Sequence, residues 1–516
     1  MTNIIDAAIR YVSPVAAVRR EQARLALQYF DKHNKTRRFD GASKTSRMSQ
    51  WKRPGSSADT AIVSNLSLLR NGSRDLTRNN PWAEKALTVI ESNTVGTGIT
   101  AQIAGVSKPR QKRLNTLWWD WAMTTSIDAD ERNDLIGLEN LIIRTIAESG
   151  EVLIRRRFRR NSDNLPIPIQ IQVMEPDHLD SSKDGALANG NEIRNGIEFD
   201  KRNKRVAYWL YDQHPGDNTV FKFSYSSFRV PAADIIHAFD PKRAGQNRGY
   251  PWVAAAIRRL KDFDDYEDAQ LVRQKIAACF TGFVHDMNIA GGGAGATGVP
   301  KEGPAENQLE YLQPGIFEHL PPGKDIKFPS PPGVENYDEY TRNILRGVAA
   351  SYGITYEALT GDYSNVNFSS GRMGWIEMGR NVHRWQNTIM RGQVLERIAR
   401  WFFAGAGLQG FDTTDAYIKW TYPRREMIDP TKEIPAMIKA IRGGLTSLTR
   451  THSTLGYDSE EVFDEIEESN KILDEKGLIL DSDPRKVNMS GALNQPQATA
   501  QGGDDDSGDD APVGDN

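Results

Sequence analysis

The sequence predicts an α+β fold that is mainly helical, and three features of the chain support this prediction. Residues 75–250 alternate helix signals with runs of β-forming residues. Residues 252–282 contain no proline and carry glycine only at the last position, which predicts one long helix. A glycine- and proline-rich stretch follows at 286–335, and another helix is predicted over 335–352. A chain of 516 residues is expected to hold more than one structural unit.

The composition excludes several classes of protein. Apolar residues make up 38% of the chain and charged residues 26%, and no run of about 18 uncharged apolar residues occurs, so a membrane-spanning protein is not expected. Cys279 is the single cysteine, which excludes a disulfide scaffold and CxxC metal clusters. The first residues lack the layout of a signal peptide, so we expect a protein made and kept in a reducing cytoplasm.

Charge is distributed unevenly along the chain. Residues 1–60 hold twelve Lys or Arg against five Asp or Glu, and we assign 1–74 as a basic N-terminal arm. It is either a flexible, solvated segment or one that touches nucleic acid or an acidic partner. After Lys486 there are six Asp and no cation, so 481–516 is predicted to be a disordered acidic tail. The remaining body is nearly balanced, which argues against tight DNA binding.

The region 75–250 begins with three predicted helices. Asn80 and Pro81 are typical of a helix start, and the helix should end near Gly96. Two more helices are expected over 110–124 and 134–148, the second of them ending at Gly150. Four strands are then predicted by their β-forming residues: 151–155, 167–174, 207–211 and 235–239.

The long helix at 252–282 has an apolar stripe that winds around it. Its apolar residues are spaced by three, and each such step lags a full turn by about 60°. The stripe consists of Ile257, Leu260, Phe263, Tyr266 and Ala269. Such a helix needs neighbours on several sides, which a ring of identical copies would supply. The central helix of a large monomer would supply them as well.

The segment 361–371 is predicted to be a loop, since it is polar, bracketed by glycines and free of Lys and Arg. Beyond it a helix is expected from Arg372 to about Phe403. Its apolar face changes side near Gly392, which indicates a kink there or a helix held between two bodies. Short helices are expected over 430–480.

Motifs for catalysis and metal binding are absent from the sequence. It contains neither GxxxxGK[ST] nor HExxH, and none of the eight histidines lies four residues from another. The acids at 262–268 lie between basic residues and are expected to form salt bridges. Residues 155–160 form the densest basic run, either an exposed strand end or a contact for an acidic or nucleic-acid partner. We expect no catalytic residue, no metal and no cofactor.

The order of several segments resembles the portal proteins of tailed bacteriophages, specifically the lambda-like family. The segments that carry the resemblance are 73–83, 95–99, 237–240, 245–249, 344–354, 356–359 and the loop 361–371. Together they span about 75–400. The basic first 60 residues and the Asp-rich tail do not map onto the family.

The resemblance implies a portal fold assembled as a cyclic ring, a dodecamer, with a central channel. In this chain the implied regions are a wing (75–251), a stem helix (252–282), a clip (283–334), a returning stem helix (335–353), a channel loop region (354–371), a long helix with further wing (372–428) and a crown (429–480).

The resemblance also implies function and partners. The ring would sit at one vertex of the capsid and conduct double-stranded DNA during packaging and ejection, without sequence-specific binding and without enzymatic activity. Implied partners are the terminase large subunit, major capsid and scaffold proteins, and head-completion or adaptor proteins, with no membrane. The protein would be found in the virion, and in the host cytoplasm during assembly.

Candidate channel residues follow from the same resemblance. The loop candidates are Asp362, Tyr363, Ser364, Asn365, Val366, Asn367, Phe368 and Ser369. The stem candidates are Lys261, Asp264, Asp265, Glu267, Asp268 and Arg346. A loop without cations would let DNA slide, because Lys and Arg supply most DNA affinity. Two alternatives remain open, a metal-dependent nuclease and a scaffold protein that forms no ring.

Overall fold

A computed structural model describes residues 11–34, 55–217, 226–279, 283–286, 324–327, 337–423, 427, 429–480 and 485. The chain divides into two compact units, Met1–Ala61 and Ile62–Asn516. Most of the expected clip and acidic tail lies outside the described residues. The first unit contains helix α1 (Pro14–Asn34), whose described side chains include the exposed Val15 and Leu25.

The second unit contains helices and strands that confirm an α+β fold. Its helices, together with the one at the boundary between the units, are α2 (Ala58–Val63), α3 (Leu66–Asn79), α4 (Pro81–Thr94), α5 (Lys108–Ala122), α6 (Leu135–Ser149), α7 (Ile257–Cys279), α8 (Tyr337–Tyr352), α9 (Tyr356–Thr360), α10 (Phe368–Arg384), a π-helix (Trp385–Leu395), α11 (Glu396–Leu408), α12 (Pro430–Arg442), α13 (Leu448–Thr454) and α14 (Ser459–Glu475). The strands are β1 (Thr100–Ala104), β2 (Glu151–Phe158), β3 (Ile169–Met174), β4 (Gly185–Ala186), β5 (Glu192–Arg194), β6 (Ile197–Phe199), β7 (Arg205–Leu210), β8 (Phe228–Pro231), β9 (Ile235–Phe239), β10 (Phe283–Asp286), β11 (Lys324–Lys327) and β12 (Tyr417–Thr421).

Two antiparallel sheets organise the body. One has the strand order β3-β2-β9, and the other has the order β4-β5-β6-β7-β8. Each of the four predicted strands is present, with ends shifted by a few residues. Helix α6 precedes β2 directly and packs on it, so the sheet and the helices share one core. The pair β1-β12 joins residues far apart in the chain, since Thr100 lies opposite Thr421.

The predicted start of helix α4 is confirmed. The Asn80 side chain accepts hydrogen bonds from the backbone N–H groups of Trp82 and Ala83, at 3.0 and 3.1 Å. These bonds satisfy two donors that the first turn of a helix leaves free. Helix α6 ends at Gly150, whose φ of 91° lies in the left-handed region that glycine adopts readily.

The boundary expected at residue 74 does not coincide with the end of a helix or strand. It falls inside α3, a helix that packs on α4 and α6 and buries Leu66 and Leu76. The spacing of these apolar residues anchors α3 to the body. The folded body therefore begins before residue 74, and the basic charge of the first 60 residues precedes it.

Helices α7 and α8 form an antiparallel pair. Ser351, near the end of α8, donates a hydrogen bond to the carbonyl of Trp252 at 3.0 Å. Further along α7, Tyr266 stacks on Tyr337 at the start of α8, with ring centroids 5.9 Å apart. A short 3₁₀ segment, Trp252–Ala255, precedes α7, so the expected helix is not one uniform rod. The ends of the intervening excursion meet, because β10 pairs antiparallel with β11.

The winding stripe of α7 does not require a ring. Leu260 and Phe263 are fully buried within the subunit. Gly72 of α3 lies beside Ile257 on one side, and α8 covers another side. Of the two arrangements left open by the sequence, the central helix of a single subunit explains the first part of the stripe. Ala269 is exposed.

The change of apolar face near Gly392 has a cause that the sequence did not predict. Residues Trp385–Leu395 form a π-helix inside the long helix. Its i→i+5 bonds hold one residue more per turn than an α-helix. Buried residues recur every four positions except for one step of five, in the series Trp385, Ile389, Val394, Ile398 and Phe402. The extra residue keeps one apolar stripe on the core side, so neither a kink nor a second body is needed.

None of the helices in the described part of the chain is long and apolar enough to cross a lipid bilayer.

The buried carboxyl of Glu139 gives the first prediction. Glu139 lies in α6 with no exposed surface, and its Oε2 accepts a hydrogen bond from the backbone N–H of Ile99 at 3.0 Å. Burial raises the pKa of Glu139 to about 8, although the Ile99 hydrogen bond opposes this. The folded protein therefore retains a proton that the unfolded chain releases above its ordinary pKa of 4.5.

We predict that this proton makes the free energy of unfolding fall by about 1.4 kcal/mol per pH unit between the unfolded and folded pKa values. The stabilisation is complete below the lower value and lost as the pH rises through the higher one. Glu139→Gln keeps an acceptor for Ile99 and should remove this slope. Urea unfolding at several pH values measures it, and an unchanged slope in the variant would contradict the assignment.

Candidate functional site

The loop expected at 361–371 begins at a defined turn. Helix α9 ends at Gly361, whose φ of 70° is left-handed. Asp362 Oδ1 then accepts hydrogen bonds from the backbone N–H and the hydroxyl of Ser364, at 3.0 and 2.6 Å. These bonds lower the pKa of Asp362, so the loop carries a negative charge at neutral pH. The carboxylate thus shapes the loop as well as charging it.

The loop ends earlier than the sequence suggested. Asn367 caps α10: its side chain accepts a hydrogen bond from the Ser370 backbone N–H at 2.8 Å, and the Ser370 hydroxyl bonds back to Asn367. This reciprocal arrangement is a capping box. Phe368 and Ser369 therefore lie in the first turn of a helix and not in the loop. The helix starts at Phe368, not at Arg372 as predicted.

The loop candidates are accessible from solvent. Tyr363 is 64% exposed and Phe368 is 54% exposed, while Val366 is half-buried. Both flanks are tied to the body. Leu359 of α9 is buried, and Asn381 of α10 donates a hydrogen bond to the Gly353 carbonyl at 2.9 Å. The structure therefore presents a short exposed loop on a rigid base.

The stem candidates do not share one environment. Asn80 donates a hydrogen bond to Asp264 at 2.5 Å, and the Tyr337 hydroxyl donates one to Glu267 at 3.3 Å. Both carboxylates are half-buried and hold helices of the same subunit together. Burial raises the pKa of Glu267, which the Tyr337 hydrogen bond opposes.

The other stem candidates face solvent. Lys261 and Asp265 form an exposed i,i+4 ion pair at 3.0 Å. Asp268 is exposed, and Arg346 is exposed with its guanidinium 5.7 Å from the ring centre of Tyr356. These four residues are free to face a channel, whereas Asp264 and Glu267 have structural roles.

A group of acids and one histidine lies elsewhere, in a place that the sequence analysis did not single out. Among the described residues, Glu175, Asp177 and His214 are close enough to share a metal ion. However, Arg74 lies 2.7 Å from a carboxylate oxygen of both acids. A guanidinium already supplies the positive charge there, so these residues form an ion-pair cluster.

The most connected polar residue of the body is Glu151, which sequence reasoning missed. It is fully buried at the start of β2. Arg248 contacts it at 2.6 Å, Arg70 at 3.0 Å and His237 at 2.9 Å. The backbone N–H of Gly249 adds a fourth contact at 2.7 Å. One carboxylate therefore joins α3, β2, β9 and the segment before α7. A glutamate at the start of a run of β-forming residues, directly after a helix-ending glycine, was the available signal.

The charges in this cluster follow from its partners. Burial alone would raise the pKa of Glu151, but Arg248 and His237 outweigh burial and hold the pKa well below its ordinary value. Burial lowers the pKa of His237, so the imidazole is neutral and donates its Nε2 proton to Glu151. The cluster is thus a buried carboxylate between two guanidinium groups.

The same segment is tied to the long helix. Asp240 pairs with Arg384 of α10 at 2.8 Å. The Gln393 side chain bonds to both backbone groups of Phe239, at 3.2 and 2.9 Å. The segment that leads into α7 and the helix that follows the loop are therefore held together.

The family of the chain follows from its sequence. The profile of the family described as phage portal protein, lambda family, matches residues 44–386. This range includes helices α7 and α8, the loop after Gly361 and the Glu151 cluster. The chain belongs to the lambda family of phage portal proteins. The resemblance noted from the sequence is therefore confirmed, and so is the expectation of a structural protein rather than an enzyme.

Curated relatives agree along most of the chain. The probable portal protein of Halomonas phage phiHAP-1 is 27% identical over 462 residues, covering 84% of this chain and 86% of that protein. Portal protein B of Escherichia phage lambda is 21% identical over 461 residues, covering 80% and 85%. The portal protein of Escherichia phage N15 is 21% identical over 456 residues, covering 80% and 86%.

Solved structures show a more distant similarity. One chain, in the virion of a native gene transfer agent particle, is 14% identical with a TM-score of 0.45, covering 76% of this chain and 93% of that chain. Another, in the neck of the native particle computed with C12 symmetry, is 15% identical with a TM-score of 0.43, covering 78% and 98%.

The Glu151 cluster yields a stability prediction. Glu151→Gln should lower the free energy of unfolding by about 3–5 kcal/mol, because two guanidinium groups stay buried without their counter-charge. Urea unfolding at pH 7 measures the change. The matched control is Glu192→Gln, which removes an exposed partner of Arg194 in the other sheet and should change stability by less than about 0.5 kcal/mol.

The pH dependence checks the cause of this loss. The folded-state pKa of Glu151 is depressed, so its stabilisation is present above the ordinary pKa of 4.5 and lost as the pH falls towards the folded-state value. The difference between the wild type and Glu151→Gln should therefore narrow below pH 4.5. Equal stability of the two proteins at pH 7 would contradict the role of Glu151.

Proposed function

We propose that the chain assembles into a closed twelve-membered ring at one capsid vertex and conducts double-stranded DNA through its axis. The observation that carries this proposal is membership of the lambda portal family over residues 44–386, a range that includes the stem and the loop. In this ring α7 and α8 form the stem, and the loop after Gly361 projects towards the channel.

Exposed apolar side chains support self-association. Helix α12 buries no residue, and α14 buries Ser459 alone. Isolated helices of this length are marginal in water, so packing against another surface must stabilise them. Their exposed apolar residues include Ile434, Ile438, Phe463 and Ile466. Neighbouring copies in a ring would cover these faces through head-to-tail contacts between unlike surfaces.

The remaining assignments follow the family. The wing comprises 75–251 with 372–428, and the crown comprises 429–480. The excursion that begins at β10 and returns at β11 is the clip, where the terminase large subunit and later the head-completion or adaptor proteins dock. Major capsid and scaffold proteins contact the outside of the ring. Assembly takes place in the host cytoplasm, and the mature ring remains in the virion.

Purified full-length protein tests the ring directly. Mass photometry and negative-stain electron microscopy should show a closed ring near 690 kDa, about twelve times the 57.7 kDa chain. Ile438→Asp with Ile466→Asp should shift the mass towards single subunits, because charges replace the apolar contacts. Glu467→Gln, on the polar side of α14, is the control and should leave the ring intact. A wild-type protein that stays monomeric under all conditions would overturn the proposal.

The loop can be tested for low-friction passage of DNA. Asn365 is exposed, and in the structure it bonds to its neighbour Ser364 at 3.4 Å, so a substitution there spares the Asp362 turn and the Asn367 cap. Asn365→Lys should slow DNA packaging at low salt on the order of tenfold, with recovery at higher salt, because each lysine can bind phosphate.

The control for this test is Asn365→Gln, which adds length without charge and should package DNA at the wild-type rate. Packaging is measured as DNA protected from nuclease over time. If Asn365→Lys packages DNA as fast as Asn365→Gln at every salt concentration, the loop does not contact the passing DNA.

A further inference from the structure

A basic pocket lies between the five-stranded sheet and the long helix. It has a volume of about 430 Å³ and is lined by Lys204, Arg205, Val206, Tyr208, Pro231, Ala232, Ala233 and Arg397. Its walls come from β7, the end of β8 and α11. Three of the lining residues carry a positive charge and none carries a negative one.

The three cations have no carboxylate partner within the described residues. Arg397 donates a hydrogen bond to the Ala232 carbonyl at 2.9 Å. Arg205 bonds to the Asn247 side chain at 3.4 Å. Lys204 is exposed, and the nearby Asp200 accepts a hydrogen bond from its backbone N–H at 2.8 Å. Arg205 and Arg397 therefore meet only neutral groups in these contacts, whereas the exposed Lys204 lies near the Asp200 carboxylate without forming an ion pair with it.

This arrangement differs from the other basic residues of the same region. Arg229 pairs with Glu198 at 2.7 Å, and Arg156 pairs with Asp234. Burial lowers the pKa of Arg397, and the neighbouring Arg205 acts in the same direction. Half-buried cations normally have a counter-charge, because withdrawing them from water costs free energy. The half-buried Arg205 and Arg397 have no counter-charge among the residues that line the pocket.

We propose that the Asp-rich C-terminal segment, residues 504–510, docks in this pocket. The sequence holds five of the six aspartates after Lys486 in this stretch and no cation, so its charge complements the pocket. The link from residue 480 to residue 504 can extend to about 80 Å. Tethering raises the effective concentration to about the millimolar range, so weak charge pairing is sufficient. The proposal concerns a wing surface and does not depend on ring formation.

Carbodiimide cross-linking of the full-length chain tests the docking. The reagent joins a lysine amine to a carboxylate that touches it, and mass spectrometry locates the link. We expect amide links between Lys204 and aspartates of 504–510. Lys201, which is exposed on the same hairpin but does not line the pocket, is the internal control. A mixture of isotope-labelled and unlabelled chains distinguishes the tail of the same subunit from that of a neighbour.

Variants separate docking from random contact. Arg397→Gln should reduce the Lys204 link to the level seen at Lys201. Replacing the five aspartates with Asn should abolish the link. This variant leaves the sequence of the folded body unchanged, so it tests the docking even if Arg397→Gln misfolds. A peptide of residues 502–516 should compete, and its Asp-to-Asn form should not.

Two outcomes would overturn the proposal. One is equal linking of the tail to Lys201 and Lys204 in the wild type. The other is that inorganic phosphate or a DNA oligonucleotide abolishes the Lys204 link at concentrations at which the acidic peptide has no effect. That result would assign the pocket to a phosphate group instead of an acidic segment.

Discussion

A single buried carboxylate joins the elements that surround the start of α7. Glu151 contacts Arg70 from α3, His237 from β9 and Arg248 from the segment that leads into α7. Because a buried charge is costly without partners, each of these elements must approach the same point to satisfy it. Gly249 completes the arrangement: a side chain at this position would collide with the backbone of Gly150. The cluster therefore fixes how the segment leading into α7 lies against the three-stranded sheet and α3.

The loop that we propose for the channel is connected to this cluster indirectly, through α10. Its base is held by α9 on one side and by α10 on the other, and α10 is joined to the segment after β9 through Asp240 and Arg384. The π-helix also helps to hold the long helix on the body, because its extra residue keeps one apolar stripe against the core. A rigid base with an exposed, cation-free tip suits a surface past which a polyanion slides, since a loop without Lys or Arg has little affinity for phosphate.

Many charged side chains of the described body are paired within it, whereas two regions carry charge of one sign. The half-buried acids of α7 have partners within the subunit: Asn80 binds Asp264, and Tyr337 binds Glu267. The two regions are the pocket around Arg397, which is positively charged, and the Asp-rich tail, which is negatively charged. Helices α12 and α14 also expose apolar side chains to solvent. Unpaired charge and exposed apolar surface are both typical of a subunit whose surface is covered by a binding partner.

The sequence by itself determined the features that depend on neighbouring residues. Asn80 before Pro81 indicated a helix cap, and Gly150 indicated a helix end. The absence of glycine and proline after Trp252 indicated a long helix. Local hydrogen bonding and backbone freedom decide these features. The order of such segments also revealed the family. Only the tertiary structure decided which side chains meet across the fold. Glu151 and Arg70 are 81 residues apart, and the first part of the α7 stripe is covered by α3 and α8 of the same subunit. Nothing in local spacing encodes such contacts, because they depend on how complete elements pack in three dimensions.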